Sequence, residues 1–474
     1  MSTIETSLTA ISCIDGRYSS YTDGLSEYFS EAALIQKRIF VEIEYLIKLI
    51  FELHPVNNLL KEFTTPYCIK YLKDIYNDFS IEDAILIKEI EKETNHEIKS
   101  IEYFISQKCL SCDKMDMNNL VSFIHFGLTS SDINSMANAL LLKDCICNVY
   151  IPRLTDIIRR LNKLGGPHEQ LAFPTYTHGQ ISTPSTFYKE LLVFIDRLDT
   201  EHGYLLKYNF FAKFGGTNGN CNIHQFVYRD IDWTNFFNLF LNENNIDRQE
   251  YTTQIEHYDN IAKLFDHLKR INTILIDLCQ DIGLYISKDL IQLNVIEPIV
   301  KSNNILFENA EEIEYGNTSH KVNPILFENA EGNLKLANSL LEFMSSKLPV
   351  SRMQRDLTDS TITRNYGTAF GYILIAFNNI LKGLSKIKPN TDTIDKELNN
   401  YVVLAEPVKC YLKSKCIHNA FQFFKDFAKN KYFISEIEYM DFIYSLHQKL
   451  SKQLTDNDIQ KLLELKPDNY VGYH

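Results

Sequence analysis

Glycine and proline are scarce in this chain, at 17 and 12 in 474 residues. Both punctuate strand-and-turn architectures, so their shortage argues against one and for long helices with few interruptions. Long apolar runs are missing too, and none approaches the roughly 18 residues that a membrane-spanning helix needs. The segment Met1 to Ser12 lacks a basic start followed by an apolar core, so no signal peptide is expected. Positive charge is in deficit, with a net charge of −13. That disfavours non-specific nucleic-acid binding, which needs a basic face. It leaves an anionic small substrate open, because local Arg and Lys clusters set the potential of a site. Of the ten cysteines, only Cys109-x-x-Cys112 and Cys145-x-Cys147 lie close in sequence. Neither pair has two further ligands at zinc-like spacing, so no metal site is expected. The cysteines read as core or surface thiols of a soluble, cytoplasmic protein in a reducing compartment.

The remaining composition, 45% hydrophobic and 23% charged, is that of an ordinary globular protein able to bury a large core. Residues 1–111 read as a first helical unit. Glu31 to His54 is a dense apolar-periodic helix stopped by Pro55. Ser80-x-x-Asp83 is a capping-box start for a helix predicted to run to Gln107, carrying Asn95-His96-Glu97 on a polar face. Residues 112–364 hold the longest helical patterns. Between Asp259 and Ile286 the apolar set Ile261, Leu264, Phe265, Leu268, Ile271, Leu275, Leu278 and Ile282 forms one continuous face. Such a stripe has to be buried against other helices, which predicts an all-α helical bundle. Residues 365–474 read as a third, mostly helical unit. One seven-residue repeat occurs, with Ile305 to Glu311 identical to Ile325 to Glu331. A single pair does not make a solenoid, and a local duplication fits it better.

Several clusters carry chemistry. His320-Lys321-Val322-Asn323-Pro324 is a cationic loop running into a helix, with Asn323 suited to the N-cap and Pro324 to the first turn. A Lys at a helix N-terminus is an anion site. Thr129-Ser130-Ser131-Asp132 opens another helix, where hydroxyls and free N–H groups either cap the helix or hold a carboxylate. Thr177-His178-Gly179-Gln180 lies in a polar loop. His is the side chain best matched to proton transfer near neutral pH, and Gly179 allows close backbone approach. The stretch from Ser351 to Arg364 is dense in phosphate-ready groups: Arg355, Ser360 and Arg364 offer guanidinium forks and a hydroxyl. Asp356 and Asp359 are equally available to pair with those arginines in a salt-bridged loop. Arg17-Tyr18 adds a cation beside a turn, and Gln254 a neutral hydrogen-bonder before the long 259–286 helix. The Gly-rich run Gly215 to Asn220 lacks the Lys-Ser/Thr ending of a nucleotide P-loop.

In their order along the chain, Arg17-Tyr18, Asn95-His96-Glu97, Thr129-Ser130, Thr177 to Gln180, Gln254, Lys321-Val322-Asn323 and the Arg355 to Arg364 cluster resemble the adenylosuccinate lyase branch of the fumarase/aspartase superfamily. Gly332-Asn333 and Ser346 to Val350 extend the likeness over nearly the whole chain. The resemblance implies an all-α, three-domain subunit divided at 1–111, 112–364 and 365–474. It implies a homotetramer with a 20-helix core, each site drawing on three subunits, and no metal or organic cofactor. It implies elimination of fumarate from adenylosuccinate, giving AMP, and from SAICAR, giving AICAR. Under it His178 is the general acid, and Lys321, Asn323, Thr129 and Ser130 hold the carboxylate that absorbs the developing charge. His96 orients the substrate, and Arg17, Arg355, Ser360 and Arg364 grip the phosphate. Tyr18, Asn95, Glu97, Gln254, Val322, Asn329 and Thr361 complete the implied binding set. The family's loop reads Gly-Ser-Ser-x-Met-Pro before Lys-x-Asn, its first Ser being the base. Here Glu314-Tyr315-Gly316-Asn317-Thr318-Ser319 stands there instead, and the 301–314 segment is long. Ser319 is the candidate base, with Thr318 the other nearby hydroxyl. The altered loop raises an alternative, a catalytically impaired relative that binds nucleotide or scaffolds an oligomer. Relatives acting on argininosuccinate or malate are disfavoured, since those substrates have no phosphate for the arginine cluster.

Overall fold

The computed structural model of the chain describes residues 7–293, 323–429 and 431–473. Ser319, Lys321, Val322 and the 301–314 segment lie outside the described residues. Helices dominate, among them α1 (Glu31–Leu53), α2 (Ile81–Thr94), α3 (Glu97–Leu110), α4 (Ser130–Cys145), α5 (Phe187–Leu205), α6 (Trp233–Asn242), α7 (Asp259–Ser287), α8 (Ile325–Lys347), α9 (Thr358–Thr363) and α10 (Tyr366–Leu384). The strands among the described residues are two- or three-residue segments joined in pairs, so the fold is all-α. No helix of the described residues is long and apolar enough to cross a membrane.

Local sequence explains where the helices begin and end. Ser30 caps α1 by accepting from the Ala33 N–H at 3.1 Å, and α1 stops one residue before the His54-Pro55 pair, as proline demands. Ser80 and Asp83 form the expected capping box at the start of α2. The predicted single helix to Gln107 is corrected, because it breaks at Asn95-His96. Asn95 adopts a left-handed conformation (φ 50°) at the C-cap of α2, a role Asn tolerates better than most side chains. His96 then caps α3, its Nδ1 accepting from the Lys99 N–H at 3.1 Å. A short polar pair with two capping side chains overrides the helical periodicity on either side. At α8 the start falls at Ile325, and the Pro324 carbonyl accepts from the Phe327 and Glu328 N–H groups. Pro324 thus stands where Asn323 was expected, one residue along.

The predicted α7 stripe is buried throughout: Leu264, Phe265, Leu268, Ile271, Leu275, Leu278 and Ile282 are almost fully enclosed. Each such side chain contributes roughly 1.5–3 kcal/mol relative to exposure.

The described residues fall into two compact units. One draws on Met1–Leu154, Glu201–Thr273 and Gly332–Asn378, the other on Thr155–Thr200, Ile274–Glu331 and Asn379–His474. In the first, α1 packs on α4, and Tyr45 of α1 sits in an aromatic cluster with Phe214, Phe236, Phe237 and Phe240. The Tyr45 hydroxyl donates to the Phe126 carbonyl at 2.6 Å and lies 2.9 Å from His224 Nε2. Gly127 (φ +71°) completes this corner, since a Cβ there would meet the His224 ring at 2.4 Å. That corner delivers the chain to Thr129 and the N-terminus of α4. In the second unit, helices Ala405–Ser414, Ala420–Ala428, Glu436–Lys449 and Asp456–Leu463 enclose a core including Leu404, Leu412, Tyr439, Ile443 and Leu462.

Candidate functional site

A cavity in the first unit gathers side chains from four helices and two loops. Arg38 comes from α1, Glu97 from α3, Ser131, Asn134 and Ser135 from α4, Glu256 and Tyr258 from the loop before α7, Arg355 from the loop before α9, and Asp359 and Ser360 from α9. Arg364 follows α9 and closes one side. The space open to the centre of a water is about 40 Å³, where one water needs about 10–15 Å³. It fits one compact polar group, such as a phosphate, at the end of a larger ligand.

Beneath the cavity lies a fixed foundation. Asp132 and Lys213 are fully buried and meet at 2.7 Å. Asp132 also accepts from the N–H groups of Thr129 at 2.8 Å, Gly215 at 2.9 Å and Gly216 at 3.2 Å. Burial pushes the Asp132 carboxyl up and the Lys213 ammonium down, and each charge opposes the shift of the other. With three N–H donors and an ammonium in contact, the pair is held in its ionised form. This ties the first turn of α4 to the Gly215–Gly216 turn and fixes the direction in which Ser130 and Ser131 point.

The arginines differ in their freedom. Arg38 is 3% exposed, contacts Glu97 Oε2 at 2.9 Å and donates through Nε to Asn134 at 2.8 Å. Glu97 also pairs with Arg364, which reaches Glu31 at 2.9 Å. Burial raises the Glu97 carboxyl, but Arg38 and Arg364 more than offset it and hold it below the usual carboxylate value. Arg364 is therefore shared between two carboxylates from α1 and α3. Of the acids suspected of pairing with the cluster's arginines, Asp356 pairs with Arg352 at 3.3 Å, and Asp359 accepts from Tyr258 at 3.0 Å. Neither takes Arg355, which instead donates to the Ser131 hydroxyl. Among the described residues Arg355 makes no ion pair, so its charge faces the cavity.

The other expected site residues are dispersed. His96 Nε2 lies 3.4 Å from the Ser130 hydroxyl, joining the start of α3 to that of α4. Arg17 is exposed and lies over Tyr18, 5.9 Å from its ring centre. Thr361 and Asn95 are exposed and Gln254 is half-buried; none of them lines the cavity. The second unit carries His178, Asn323 and Asn329. The expected loop at Thr177–Gln180 is a tight hairpin in which Tyr176 pairs with Ile181 and Thr177 with Gln180. Its two turn residues, His178 (φ 54°) and Gly179 (φ 74°), have the positive φ values of a mirror-image turn. His178 is exposed at its tip. The hairpin is anchored by Tyr176, which donates to Glu397 at 3.1 Å and stacks under the Lys288 ammonium at 4.0 Å. Asn323 is exposed, and Asn329 accepts from Asn379 at 2.9 Å.

Sequence reasoning passed over Arg38, Ser135, Glu256 and Lys213, and read Ser131 only as part of the opening of α4. The charged ones carried a signal, since a lone Arg inside the apolar stripe of α1 has to find a buried acid. Ser135 and Glu256 carried none, because they meet only in three dimensions.

Comparison with known proteins agrees with this architecture. Residues 16–302 match the lyase family and residues 351–471 the adenylosuccinate lyase C-terminal family. Among solved structures, a fumarate lyase from Mesorhizobium sp. BNC1 superposes with a TM-score of 0.69 at 15% identity, covering 95% of each chain. A 3-carboxy-cis,cis-muconate lactonizing enzyme from Pseudomonas putida gives 0.72 at 14% identity, covering 96% of this chain and 95% of that one. These likenesses show a shared fold, and the match over residues 16–302 puts the chain in the lyase family. Among curated proteins, adenylosuccinate lyase of Dictyostelium discoideum is 42% identical, covering 98% of this chain and 97% of its own length. That of Escherichia coli K12 is 38% identical over the same shares. The chain belongs to the adenylosuccinate lyase family of carbon–nitrogen lyases.

Proposed function

We propose that this chain removes fumarate from adenylosuccinate, leaving AMP, and from SAICAR, leaving AICAR. The observation that carries the reading is an anion-ready cavity in a chain of this family. There, Arg355 stands beside Ser131 and Ser360 at the N-terminus of α4, where helix N–H groups add partial positive charge.

The residue types suit the reaction. A proton leaves the carbon next to a carboxylate, the adjacent carbon–nitrogen bond breaks, and the nitrogen accepts a proton as it departs. His178 protonates that nitrogen, a contribution worth roughly 10²–10⁴-fold. A hydroxyl of the 316–319 segment, Ser319 in our assignment, takes the carbon-bound proton. Lys321, Asn323, Thr129 and Ser130 hold the carboxylate on which negative charge accumulates. Val322, Asn329, Thr361, Tyr18, Asn95 and Gln254 shape the remainder. Arg355, Ser360, Arg364 and Arg17 take the phosphate, remote from the bond that breaks, so its binding energy helps fix geometry there. A three-domain subunit, a homotetramer sharing its sites and a cytoplasmic location belong to the same proposal.

The experiment is fumarate release from both substrates by the purified chain, with AMP as competitor. Turnover on both, inhibited by AMP, supports the reading. AMP binding without fumarate release would point instead to a nucleotide-binding relative that has lost its chemistry.

A further inference from the structure

Glu256 is 2% exposed, yet among the described residues it has no cationic partner. Its Oε2 accepts from the Ser135 hydroxyl at 3.3 Å and its Oε1 from the Gln249 amide at 3.1 Å. Both partners are neutral and themselves buried. A carboxylate enclosed with two neutral donors and no cation pays for desolvation without recovering it, so the group folds in its uncharged form. Asp132, by contrast, is fully buried but set against the Lys213 ammonium.

Glu256 lines the same small cavity as Arg355, Ser131 and Ser360. The polar atoms around it leave capacity unused: among the described residues, Gln249 Oε1, Asp359 Oδ1 and the Tyr366 hydroxyl are buried without a hydrogen-bond partner. We propose that Glu256 is a positioning residue for the anionic end of the substrate: as a neutral acid it leaves the Arg355 charge to the ligand, and when ionised it competes for that charge. This rests on reading the cavity as the phosphate subsite.

The neighbours support a titration in the working range. Burial lifts the Glu256 carboxyl to about 8, and Ser135 and Gln249 moderate the rise while Asp259 adds to it. Tyr208, Tyr258 and Tyr366 face it and are raised far enough to stay protonated. Asp359 sits behind Tyr258. Across the cavity, Arg38 and Arg364 pair with Glu97, while Arg355 has no acid against it among the described residues.

The test measures AMP affinity by calorimetry across the alkaline range, where the phosphate is already a dianion because its second ionisation lies near pH 6. Wild-type affinity should fall roughly tenfold between about pH 7 and about pH 9, as the competent fraction drops. Glu256→Gln should bind with a Kd that varies less than about twofold over that range. Gln249→Met, which removes a donor favouring the anion, should move the loss to higher pH and guards against misfolding of the first variant. Infrared spectra should show a carboxylic-acid band at neutral pH that Glu256→Gln lacks. A pH-independent wild type, an alkaline loss retained in Glu256→Gln, or no acid band would overturn the proposal alone. Absence of AMP binding at every pH, with the acid band present, would overturn the phosphate-subsite reading and the proposal with it.

Discussion

Replacing Asp132 by Asn should destabilise the protein more than any other single conservative change near the cavity. Asp132 and Lys213 meet at 2.7 Å with neither side chain exposed. At that distance, an effective dielectric of about 20 gives an attraction of about 6 kcal/mol. Asn keeps the shape but leaves the ammonium buried without a counter-charge, for which breaking one side of a buried pair costs about 3–5 kcal/mol. The amide also turns an N–H group toward the donors of Thr129, Gly215 or Gly216, which now meet Asp132 oxygens, adding about 1–3 kcal/mol. Equilibrium urea denaturation should therefore show a loss of about 4 kcal/mol or more. Pairing Asp132→Asn with Lys213→Met should recover much of it, because the uncompensated charge disappears. A loss below about 1 kcal/mol in the single variant, or no recovery in the double, would refute the account of Asp132 as the anchor of the α4 N-terminus.

Other expectations follow from the same geometry. His178→Ala should lower kcat for fumarate release by roughly 10²–10⁴-fold; a change under about threefold would remove it from the chemistry. Ser319→Ala should abolish turnover, and a variant that keeps turnover assigns the base elsewhere, with Thr318→Ala as the next measurement. Arg355→Ala should weaken AMP binding by about 1.5–3 kcal/mol, the worth of a charged hydrogen bond, while wild-type affinity would show that the phosphate sits elsewhere. Glu256→Gln should gain stability over wild type as pH rises. Because the folded Glu256 value is raised to about 8, its stabilising contribution is complete below the unfolded value near 4.3 and is lost as pH climbs to the folded one. From pH 5 to 8 the gap should open by on the order of 4 kcal/mol and then level off. Thermal melts showing a pH-independent gap would contradict this.

The sequence by itself determined the helices and their class. The α7 stripe, the Ser80–Asp83 box and the proline after His54 are local signals that tertiary packing reinforced. Local capping chemistry also explains the break at Asn95-His96, although apolar periodicity concealed it. The order of motifs along the chain was enough to point to the lyase family, since that order is a property of the chain alone. Tertiary structure decided the charge state of the cavity. It gave Glu97 to Arg38 and Arg364, matched Asp132 with Lys213 across 81 positions of chain, left Arg355 facing the cavity, and enclosed Glu256 with no cation among the described residues. Whether a charged side chain is paired or available depends on which distant residue lies within a few ångströms and on how much water remains, and neither is written in spacing along the sequence.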